Sequence, residues 1–348
     1  MKELKVIHGM SEIAGQGIYT VQGLRANGVD ADMAVWRKNP SGYDVDIDLH
    51  IGNNKAMYPV YFLKMWSFAR KAQKKYNVLH AHFGHGLLPF NWDINKDLKL
   101  GIKIFAEFHG SELRHVFNDV QYKYYNVYPN KEHVSIQQKR LKRLLGGADG
   151  IILHDAELIP HLPDVDVPVY IVPLRVDISK FEPVYVKEKK EKPIIVHAPS
   201  NRSKKGTEKI LSLLDGIDRE FELILVEGKT QDEAFEIYKK ADIIIDQVTV
   251  GSYGVFAIET MALGKPVITY ISDEMKKTFP TSLPIVSAGF EDMKNAIERL
   301  IDDFDLRKKL GKAGREYVER YHDTYKVTKY LKDIYTGKCP NNNLFELL

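Results

Sequence analysis

Short apolar runs alternate with longer amphipathic stretches throughout this chain, and no other feature of the sequence constrains its fold as strongly. Such alternation is typical of βαβ units, in which helices connect buried parallel strands. A charged run without apolar period, Lys187–Pro193, divides the chain into two series, and we interpret it as a linker. Because 348 residues exceed the size of one ordinary domain, the sequence predicts two doubly wound α/β domains.

The predicted strands of the first series are Leu4–His8, Asp32–Trp36, Val78–His82, Lys103–Phe108, Gly150–Leu153 and Val169–Val172. Its predicted helices are Ile18–Asn27, Val60–Tyr76, Val134–Leu145 and Ala156–His161. The predicted strands of the second series are Ile194–His197, Glu222–Val226, Ile243–Asp246, Val267–Tyr270 and Leu283–Val286. Its predicted helices are Thr207–Leu214, Asp232–Lys240, Val255–Leu263, Phe290–Asp303, Asp305–Tyr321 and Tyr325–Ile334. Ligands of such sheets bind beyond the carboxyl ends of the strands, so we expect the site in a cleft between the domains.

Composition excludes several classes of function. The formal net charge of +3 is too small to indicate nucleic-acid binding, so we expect no nucleic-acid partner. A single cysteine, Cys339, excludes an intramolecular disulfide and fits a reducing compartment. We find neither a signal-peptide core at the first residues nor an apolar run of about eighteen residues. We therefore expect a soluble, cytoplasmic protein.

The segment Gly251–Pro266 carries the strongest functional signal. A turn with two glycines follows the apolar run Ile243–Asp246 and leads directly into a short helix that carries one acid, Glu259. Glycines let the backbone approach a ligand closely, and free N–H groups at a helix N-terminus attract anions. An acid behind that position can bind a neutral hydroxyl group. A nucleoside diphosphate, with its phosphates and ribose, fits both features.

Two cations follow the first strand of the second series. Arg202 can contact phosphate oxygens through two N–H groups, and Lys205 adds a point charge before the predicted helix at Thr207. By themselves these residues favour the other interpretation, a polar surface loop with two solvated cations. A further segment, Glu227–Lys229, follows the next strand and is a weak signal alone.

Together these motifs resemble the GT-B glycosyltransferases of family 4, the group 1 glycosyltransferases. In that family a Glu-x7-Glu pattern precedes Ala-x-Gly-x-Pro-Val, and Glu259 matches the second acid, which implies that it holds the donor ribose. Arg202 and Lys205 match an Arg…Lys-Gly pair that neutralises the departing phosphate. Residues whose amides contact the diphosphate in the family correspond here to Ser252, Tyr253, Gly254 and Val255. The resemblance implies two Rossmann-like doubly wound domains that face a cleft, the GT-B fold.

One position departs from the family pattern. The first acid of Glu-x7-Glu, which contacts donor-sugar hydroxyls in the family, falls on Gly251. Asp246, Gln247 or a backbone group could take its place, and the sequence does not choose among them. The identity of the donor sugar is open for this reason, and a loss of transferase activity is an alternative.

The first series contains further matches to the family. Gly15 and Gly17 fall on its glycine-rich loop, which approaches the donor phosphate or the acceptor, although an ordinary βα turn has the same pattern. His109 follows a predicted strand and matches a histidine motif near the transferred sugar. The segments Pro173–Asp177 and Phe181–Pro183 resemble a passage near the interdomain hinge of the family.

Two motifs suggest a metal ion, and we predict that neither binds one. His80, His82 and His85 invite a metal site, but no cluster of acids or cysteines in the sequence completes it. We interpret their segment as a loop that lines the acceptor side. The alternating acids of Asp44–Asp48 resemble the Asp-x-Asp of GT-A enzymes, but period-two acids are typical of a solvent-facing strand or loop.

The stretch Tyr58–Lys75 combines aromatic residues with a basic end. An amphipathic helix of this type can dock on an anionic bilayer, so peripheral contact with the inner face of the membrane is one interpretation. A helix that packs on its own sheet and leaves a basic tip in water is the other, and we favour it.

The resemblance as a whole implies a retaining, metal-independent glycosyltransferase that moves a sugar from a nucleotide-diphosphate sugar to a hydroxyl acceptor. We assign 1–185 to acceptor binding, 186–325 to nucleotide-sugar binding, and 326–348 to a C-terminal helix and tail. A return of this helix to the first domain is one interpretation. No cofactor is expected apart from a nucleotide-sugar co-substrate, with a UDP-sugar favoured, and the acceptor is a glycan, a lipid-linked compound or a small molecule. A catalytically silent sugar-nucleotide-binding or scaffold subunit and a GT-B sugar-nucleotide epimerase are the alternatives.

Overall fold

The structure is a computed structural model that describes residues 3–38 and 43–348. Its strands lie within short apolar runs, as β-branched and buried residues favour extended backbone. In chain order they are β1 (Lys5–Gly9), β2 (Asp30–Val35), β3 (Ile47–Asp48), β4 (Val78–His82), β5 (Lys103–Glu107), β6 (Gly150–Leu153), β7 (Val169–Ile171), β8 (Ile194–His197), β9 (Glu222–Leu225), β10 (Ile243–Ile245), β11 (Val267–Thr269) and β12 (Val286–Ser287).

The α-helices occupy the amphipathic stretches between these strands. In chain order they are α1 (Gln16–Ala26), α2 (Tyr58–Lys75), α3 (Ile94–Lys99), α4 (Lys131–Leu145), α5 (Arg202–Lys205), α6 (Thr207–Leu214), α7 (Gln231–Lys240), α8 (Val255–Ala262), α9 (Asp273–Lys276), α10 (Met293–Asp302), α11 (Phe304–Tyr321), α12 (Thr324–Thr336) and α13 (Leu344–Leu347). Polar caps fix several helix starts; Thr230 and Glu233, for example, form a reciprocal capping box at α7.

The chain forms two compact units. Unit 1 contains Met1–Val120, Tyr128–Arg175 and Thr324–Leu348, and unit 2 contains Gln121–Val127 and Val176–Asp323. The charged run Lys187–Pro193 therefore lies inside unit 2, and the chain passes from unit 1 to unit 2 after Arg175. The last helices of the chain belong to unit 1.

Unit 1 is built on a seven-stranded parallel sheet in the order β3-β2-β1-β4-β5-β6-β7. The strand order reverses between β1 and β4, which is the place where doubly wound sheets bind their ligands. The polar residues His8 and His80 are neighbours in the register of these two strands. Both are fully buried, so the topological switch point of unit 1 is lined with histidine.

The C-terminal helix α12 completes the core of unit 1. Its apolar residues, among them Leu331 and Tyr335, join the cluster that α1 and the sheet form. Close packing requires glycine on α1, because a Cβ at Gly23 would meet the side chains of Thr324 and Thr328. Burial of this apolar stripe explains why α12 lies on unit 1 rather than in water.

Unit 2 is built on a five-stranded parallel sheet in the order β12-β11-β10-β8-β9. Its switch point lies between β8 and β10. Helix α8 packs against α11, and this contact brings Gly311 of α11 next to the backbone of Gly264. Strands β8 and β10 are parallel neighbours, so the loops that follow them, which begin at Ala198 and Asp246, lie on the same edge of the sheet.

The structure corrects several sequence-based assignments. The strand predicted at Leu283–Val286 is Val286–Ser287, and the segment Ala156–His161 is a 3-10 helix that contains Pro160. The helix predicted from Phe290 begins at Met293, because Phe290 is buried in the core of unit 2. Short elements without a long apolar period were missed: β3, α3, α5, α9 and α13.

We predict that Gly311→Ala lowers the free energy of unfolding by about 1–3 kcal/mol, because the new Cβ overlaps the Gly264 carbonyl oxygen. Gly314→Ala is the matched control in the same helix. Its Cβ would lie 3.2 Å from Cγ of Met261, a milder contact that requires a shift of only a few tenths of an ångström, and alanine favours the helix, so we expect a change below about 1 kcal/mol. Chemical denaturation of both variants measures the difference. Equal losses would contradict this account of the α8–α11 contact.

Candidate active site

The loops of unit 2 that carry the predicted cations lie at the switch point of its sheet. The loop after β8 leads into the short helix α5, which ends at Gly206 in the left-handed conformation with a φ of 77°. His197 at the end of β8 is buried, and its Nδ1 donates a hydrogen bond to Ile245 O at 2.9 Å. Its Nε2 then accepts from Thr207 Oγ1, also at 2.9 Å. These contacts connect the loop after β8 to β10 and to the start of α6.

Lys205 is half-buried and forms an ion pair with a buried carboxylate. Its Nζ lies 2.7 Å from Oδ1 of Asp246, whose side chain is fully buried at the end of β10. The other carboxylate oxygen, Oδ2, accepts a hydrogen bond from the backbone N–H of Gly254 at 3.4 Å. Lys205, Asp246 and Gly254 therefore meet at one point, where α8 begins. An ammonium group has three donors, so Lys205 retains N–H groups for a further acceptor.

Arg202 lies at the surface of the same loop. Its Nε donates to Glu208 at 2.7 Å, and Nη1 donates to Glu227 at 2.8 Å. Glu227 is the acid that follows β9. The segment Glu227–Lys229 and Arg202, which belong to separate loops, are therefore in contact. Exposed pairs of this kind contribute little stability, which leaves the guanidinium free to exchange partners with an incoming anion.

The N-terminus of α8 has no side-chain cap. Gly254 precedes the helix in extended conformation, and the first N–H groups of any α-helix lack partners within it. Contacts with the interior fix the preceding residues. Ser252 is buried, and its carbonyl oxygen accepts a hydrogen bond from Gln247 Nε2 at 2.6 Å. The buried Tyr253 hydroxyl lies 3.1 Å from His322 Nε2, so its side chain anchors the turn and its backbone faces the helix start.

Glu259 lies in the second turn of α8 with its side chain buried. Within the described ranges, its carboxyl group forms no side-chain hydrogen bond or ion pair. Burial raises its pKa to about 8, so much of the group retains its proton at neutral pH. A buried acid without a partner, next to a bare helix N-terminus, is an unusual arrangement that a ligand hydroxyl would satisfy.

Gly251 adopts a conformation that disfavours the acid that family 4 carries there. Its φ is 82°, in the left-handed region that side chains rarely adopt. A Cβ would lie 3.0 Å from Cβ of Ser272, and the Gly251 carbonyl already accepts from Ser272 N at 2.9 Å. The glycine is therefore required by this turn, and Asp246, which could replace the acid, is engaged with Lys205.

In unit 1 the structure places His109 in a chain of hydrogen-bonded imidazoles. His8 Nδ1 lies 3.0 Å from His82 Nε2, His82 Nδ1 lies 3.1 Å from His109 Nε2, and His109 Nδ1 lies 3.1 Å from His154 Nε2. Burial lowers the pKa of all four histidines, so they are neutral at pH 7. Both ring nitrogens of His109 are thus already paired.

One buried carboxylate orients this chain. Glu107 Oε1 lies 3.5 Å from His154 Nδ1, and Oε2 lies 3.3 Å from His82 Nδ1. A negative oxygen favours a proton on each nitrogen that faces it. The protons then sit on Nδ1 along the chain, and His109 accepts at Nε2. The buried Nε2 of His8 is left as an acceptor without a partner among the described residues.

Arg175 neutralises that carboxylate. Its Nη2 donates to both oxygens of Glu107, at 2.7 and 2.9 Å, and the desolvated pair lies in the interior of unit 1. The Arg175 charge and the neighbouring histidines hold the pKa of Glu107 well below its ordinary value, although burial acts in the opposite direction. Arg175 also exchanges backbone hydrogen bonds with the Gln16 side chain at 3.0 and 3.1 Å.

Sequence patterns did not reveal the other members of this cluster, which are Glu107, Arg175, His8 and His154. Register was the missing information, because His82 and Glu107 become neighbours only when β4 pairs with β5. A signal was present, however: three successive strands or their next residues carry histidine or glutamate at the carboxyl end. Polar residues at that edge of a parallel sheet indicate a site.

The reason given for rejecting a metal at His80 and His82 was wrong, since an acid does lie beside them. His82, Glu107 and His109 bring one ligand atom each within 4.8 Å of one another, as do His8, His80 and His82. The chemistry of the donors nevertheless disfavours a cation. Arg175 already compensates the charge of Glu107, so a divalent ion would add buried positive charge without an opposite partner.

The glycine-rich loop of unit 1 surrounds an acid of its own. Gly15, with a φ of 81°, precedes α1, and the Glu12 carboxylate accepts from Ile18 N at 2.8 Å at the start of that helix. A Cβ at Gly17 would lie 2.7 Å from the same carboxylate, so glycine is required there for close packing. Glu12 thus occupies the position at which an anion would bind α1.

Comparisons with known proteins support the fold. No family model matches the chain and no curated protein matches its sequence. Sucrose-phosphate synthase from Thermosynechococcus elongatus superimposes with a TM-score of 0.72 at 17% identity, over 100% of both chains. HepE from Anabaena, solved with UDP-glucose, gives 0.64 at 10% identity, over 95% of this chain and 99% of that one. A UDP-N-acetylglucosamine 2-epimerase gives 0.57 at 14% identity, over 97% of both.

These likenesses, at low identity, concern the fold. They confirm the predicted class, an α/β protein with two Rossmann-like doubly wound units of the GT-B type. In the part of the chain that the structure describes, no helix is both long and apolar enough to span a bilayer.

We predict that Glu259→Gln stabilises the protein more at pH 8 than at pH 5. The unfolded chain loses this proton near pH 4.5 and the folded chain near pH 8, so the folded state binds more protons between these values. Its stability therefore falls as the pH rises through this window, and glutamine removes that dependence. The difference in free energy of unfolding between the Gln variant and the native protein should be about 2–4 kcal/mol larger at pH 8 than at pH 5, as measured by denaturant titrations. Glu236→Gln, at an exposed position of α7, is the control, and an equal change in both variants would contradict the assignment.

Proposed function

We propose that the protein is a glycosyltransferase that uses a nucleotide-diphosphate sugar, most simply a UDP-sugar. One observation carries the proposal: the uncapped start of α8, the ion pair of Lys205 and Asp246, and the unpartnered acid Glu259 occur together at the switch point of unit 2. An amide-lined helix start and a lysine suit a diphosphate, and an acid suits a ribose diol. UDP-glucose in the similar HepE structure agrees with this class of ligand.

The diphosphate would bind at the N–H groups of Val255 and of the residues after it, while the Gly254 N–H donates to Asp246. Lys205 would donate its remaining N–H groups to the β-phosphate while it stays paired with Asp246. Arg202 would leave Glu208 or Glu227 and contact the phosphate with two N–H groups. These donors would stabilise the charge that grows on the leaving diphosphate as the sugar departs. No metal ion is needed in this scheme because two cations and a helix start supply the positive potential.

Glu259 would accept hydrogen bonds from the ribose hydroxyls. Binding would supply the hydrogen-bond partners that the buried carboxyl group lacks. The desolvation of this group already occurs on folding, so ribose binding would not have to supply that free energy again. Gly251, Ser252 and Tyr253 would act through the backbone, since two of their side chains are buried behind the turn and the third is absent. The hydroxyl groups of the donor sugar would then bind to groups other than the acid that family 4 uses.

Unit 1 would bind the acceptor, a hydroxyl group of a glycan or of a lipid-linked compound. Gly15 and Gly17 would approach the acceptor rather than a phosphate, because Glu12 occupies the helix start. His109 would contribute near the transferred sugar as a neutral imidazole in a fixed tautomer. The transfer would proceed with retention of configuration, with the donor phosphate taking the proton of the acceptor. We place the enzyme in the cytoplasm, with peripheral contact at the inner face of the membrane.

Two other functions share this geometry. A silent sugar-nucleotide-binding subunit fits the absence of the first acid at Gly251. A sugar-nucleotide epimerase fits the likeness to the 2-epimerase, although that likeness concerns the fold. An assay of nucleotide release separates the transferase from these two alternatives. The protein is incubated with a panel of UDP-, GDP- and ADP-sugars, with and without a mixture of glycan and lipid-linked acceptors.

A transferase releases nucleoside diphosphate from one donor only when an acceptor is present. Epimerisation changes the sugar while the nucleotide sugar remains intact, which nuclear magnetic resonance detects. Calorimetric binding of a nucleotide sugar without release, over the whole acceptor panel, indicates the silent subunit. Absence of binding by every donor would contradict the proposed site itself.

We predict that Arg202→Ala lowers kcat by about 100-fold or more, because it removes a donor to charge that develops in the transition state. Arg219→Ala is the control, since Arg219 is also an exposed arginine of unit 2 that pairs with one acid, Asp302. Steady-state kinetics with the active donor and acceptor measure both. Near-normal turnover of the Arg202 variant would remove this residue from the mechanism.

We predict that Glu259→Ala weakens the binding of UDP by about 10- to 100-fold, as expected for the loss of hydrogen bonds between the ribose hydroxyls and a buried carboxyl group. Isothermal titration calorimetry with UDP and with free phosphate separates the ribose contribution from the phosphate contribution, and only UDP affinity should fall. Glu274→Ala, at an exposed position of α9, should bind UDP as the native protein does. An unchanged affinity of the Glu259 variant would exclude the ribose contact.

A further inference from the structure

Helix α2 of unit 1 exposes most of its apolar side chains. Only Met65, Ala69 and Ala72 are buried, a narrow stripe one turn apart. Leu63 is 62% exposed and Trp66 is 44% exposed, which is far more than a helix packed on a sheet requires. Exposed apolar patches of this kind indicate an interaction site rather than a core.

A second segment extends this apolar face. Phe90 and Trp92, in and after a 3-10 turn, are 47% and 54% exposed. The rings of Phe62 and Trp92 lie 6.2 Å apart, and those of Phe90 and Trp92 lie 5.4 Å apart, so the two segments form one continuous surface. We define the aromatic face as Phe62, Leu63, Trp66, Phe90 and Trp92.

Positive charge borders the aromatic face without any acid on the same helix. The segment 55–75 contains six lysines and arginines and no aspartate or glutamate, whereas the whole chain has a formal charge of only +3. Lys64 and Lys71 are exposed and seven residues apart, so they share one stripe of α2. Arg70 lies over the ring of Trp66 at 5.2 Å, which places a cation directly at the aromatic face.

The charge distribution selects the partner. A second copy of this chain would place the same cations against one another across a symmetric interface, which repels. An anionic lipid surface instead offers negative head groups to the lysines and an apolar boundary to the aromatic rings. Tryptophan and tyrosine side chains prefer that boundary, and basic residues near it add to the affinity.

We propose that the aromatic face of unit 1 docks on an anionic bilayer, with Trp66 and Trp92 inserted at the level of the head groups. This inference rests on the proposed function, which includes a membrane contact, and it names the residues and the class of lipid that form that contact. It is tested without any nucleotide sugar, so its failure and the failure of the transferase assignment are distinguishable.

The experiment uses the full chain and two kinds of vesicle, phosphatidylcholine alone and an equal mixture with phosphatidylglycerol. The protein should co-sediment with the mixed vesicles at least about tenfold more strongly than with the neutral ones, and less as salt is raised. Tryptophan emission should shift to shorter wavelength and be quenched by brominated lipid. The double variant Leu63→Ser/Trp66→Ser should lose at least about tenfold of this binding, as should Lys64→Gln/Lys71→Gln.

Ile136→Ser is the matched control, because Ile136 is an exposed apolar residue on another helix of unit 1 and is 52% exposed. It should bind vesicles as the native protein does. Circular dichroism and chemical denaturation verify that every variant is folded. Failure of the native protein to bind mixed vesicles, equal binding to both kinds, or equal loss in the Ile136 variant would overturn the proposal. Sedimentation that shows a dimer broken by Leu63→Ser/Trp66→Ser would overturn it in favour of a second copy.

Discussion

The buried pair of Glu107 and Arg175 is the interaction on which the rest of unit 1 depends. It connects the end of β5 to α1 through the Gln16 contacts, and to α12 through His80, which lies 2.6 Å from Glu107 and 2.5 Å from the Tyr335 hydroxyl. Removing one member of such a pair leaves an uncompensated buried charge and typically costs about 3–5 kcal/mol. The same carboxylate sets the tautomers of four histidines, so the stability of unit 1 and the protonation of its candidate site residue share one origin.

Unit 2 repeats this design with a different outcome. Lys205 and Asp246 also form an ion pair at the switch point of a parallel sheet, but Lys205 is only half-buried and the pair lies beside an uncapped helix start. In unit 1 the corresponding helix start is filled by Glu12. The contrast supports nucleotide binding by unit 2, because Glu12 accepts from an N–H group within the first turn of α1, whereas Asp246 accepts only from Gly254, before α8, and is paired with Lys205.

Sequence patterns predicted much of the fold because each βα unit is a local consequence of hydrophobic periodicity. The strands at Val78–His82, Gly150–Leu153 and Ile194–His197 were predicted to the residue, and the short elements β3 and α3 were missed because they have no long period. In the candidate site, Arg202, Lys205 and Glu259 were identified from their motifs. Their partners were not, since Glu208, Glu227 and Asp246 come into contact with the cations only through folding.

The sequence by itself determined the alternation of strands and helices, the glycine turn before α8, and the cations that follow β8. Only the tertiary structure decided which polar groups are paired. It placed Glu107 between His82 and Arg175, left Glu259 buried without a partner, and required a left-handed glycine at Gly251 where family 4 has an acid. The physical reason is that burial and charge pairing depend on strand register and loop packing, which bring together residues that are far apart in the chain.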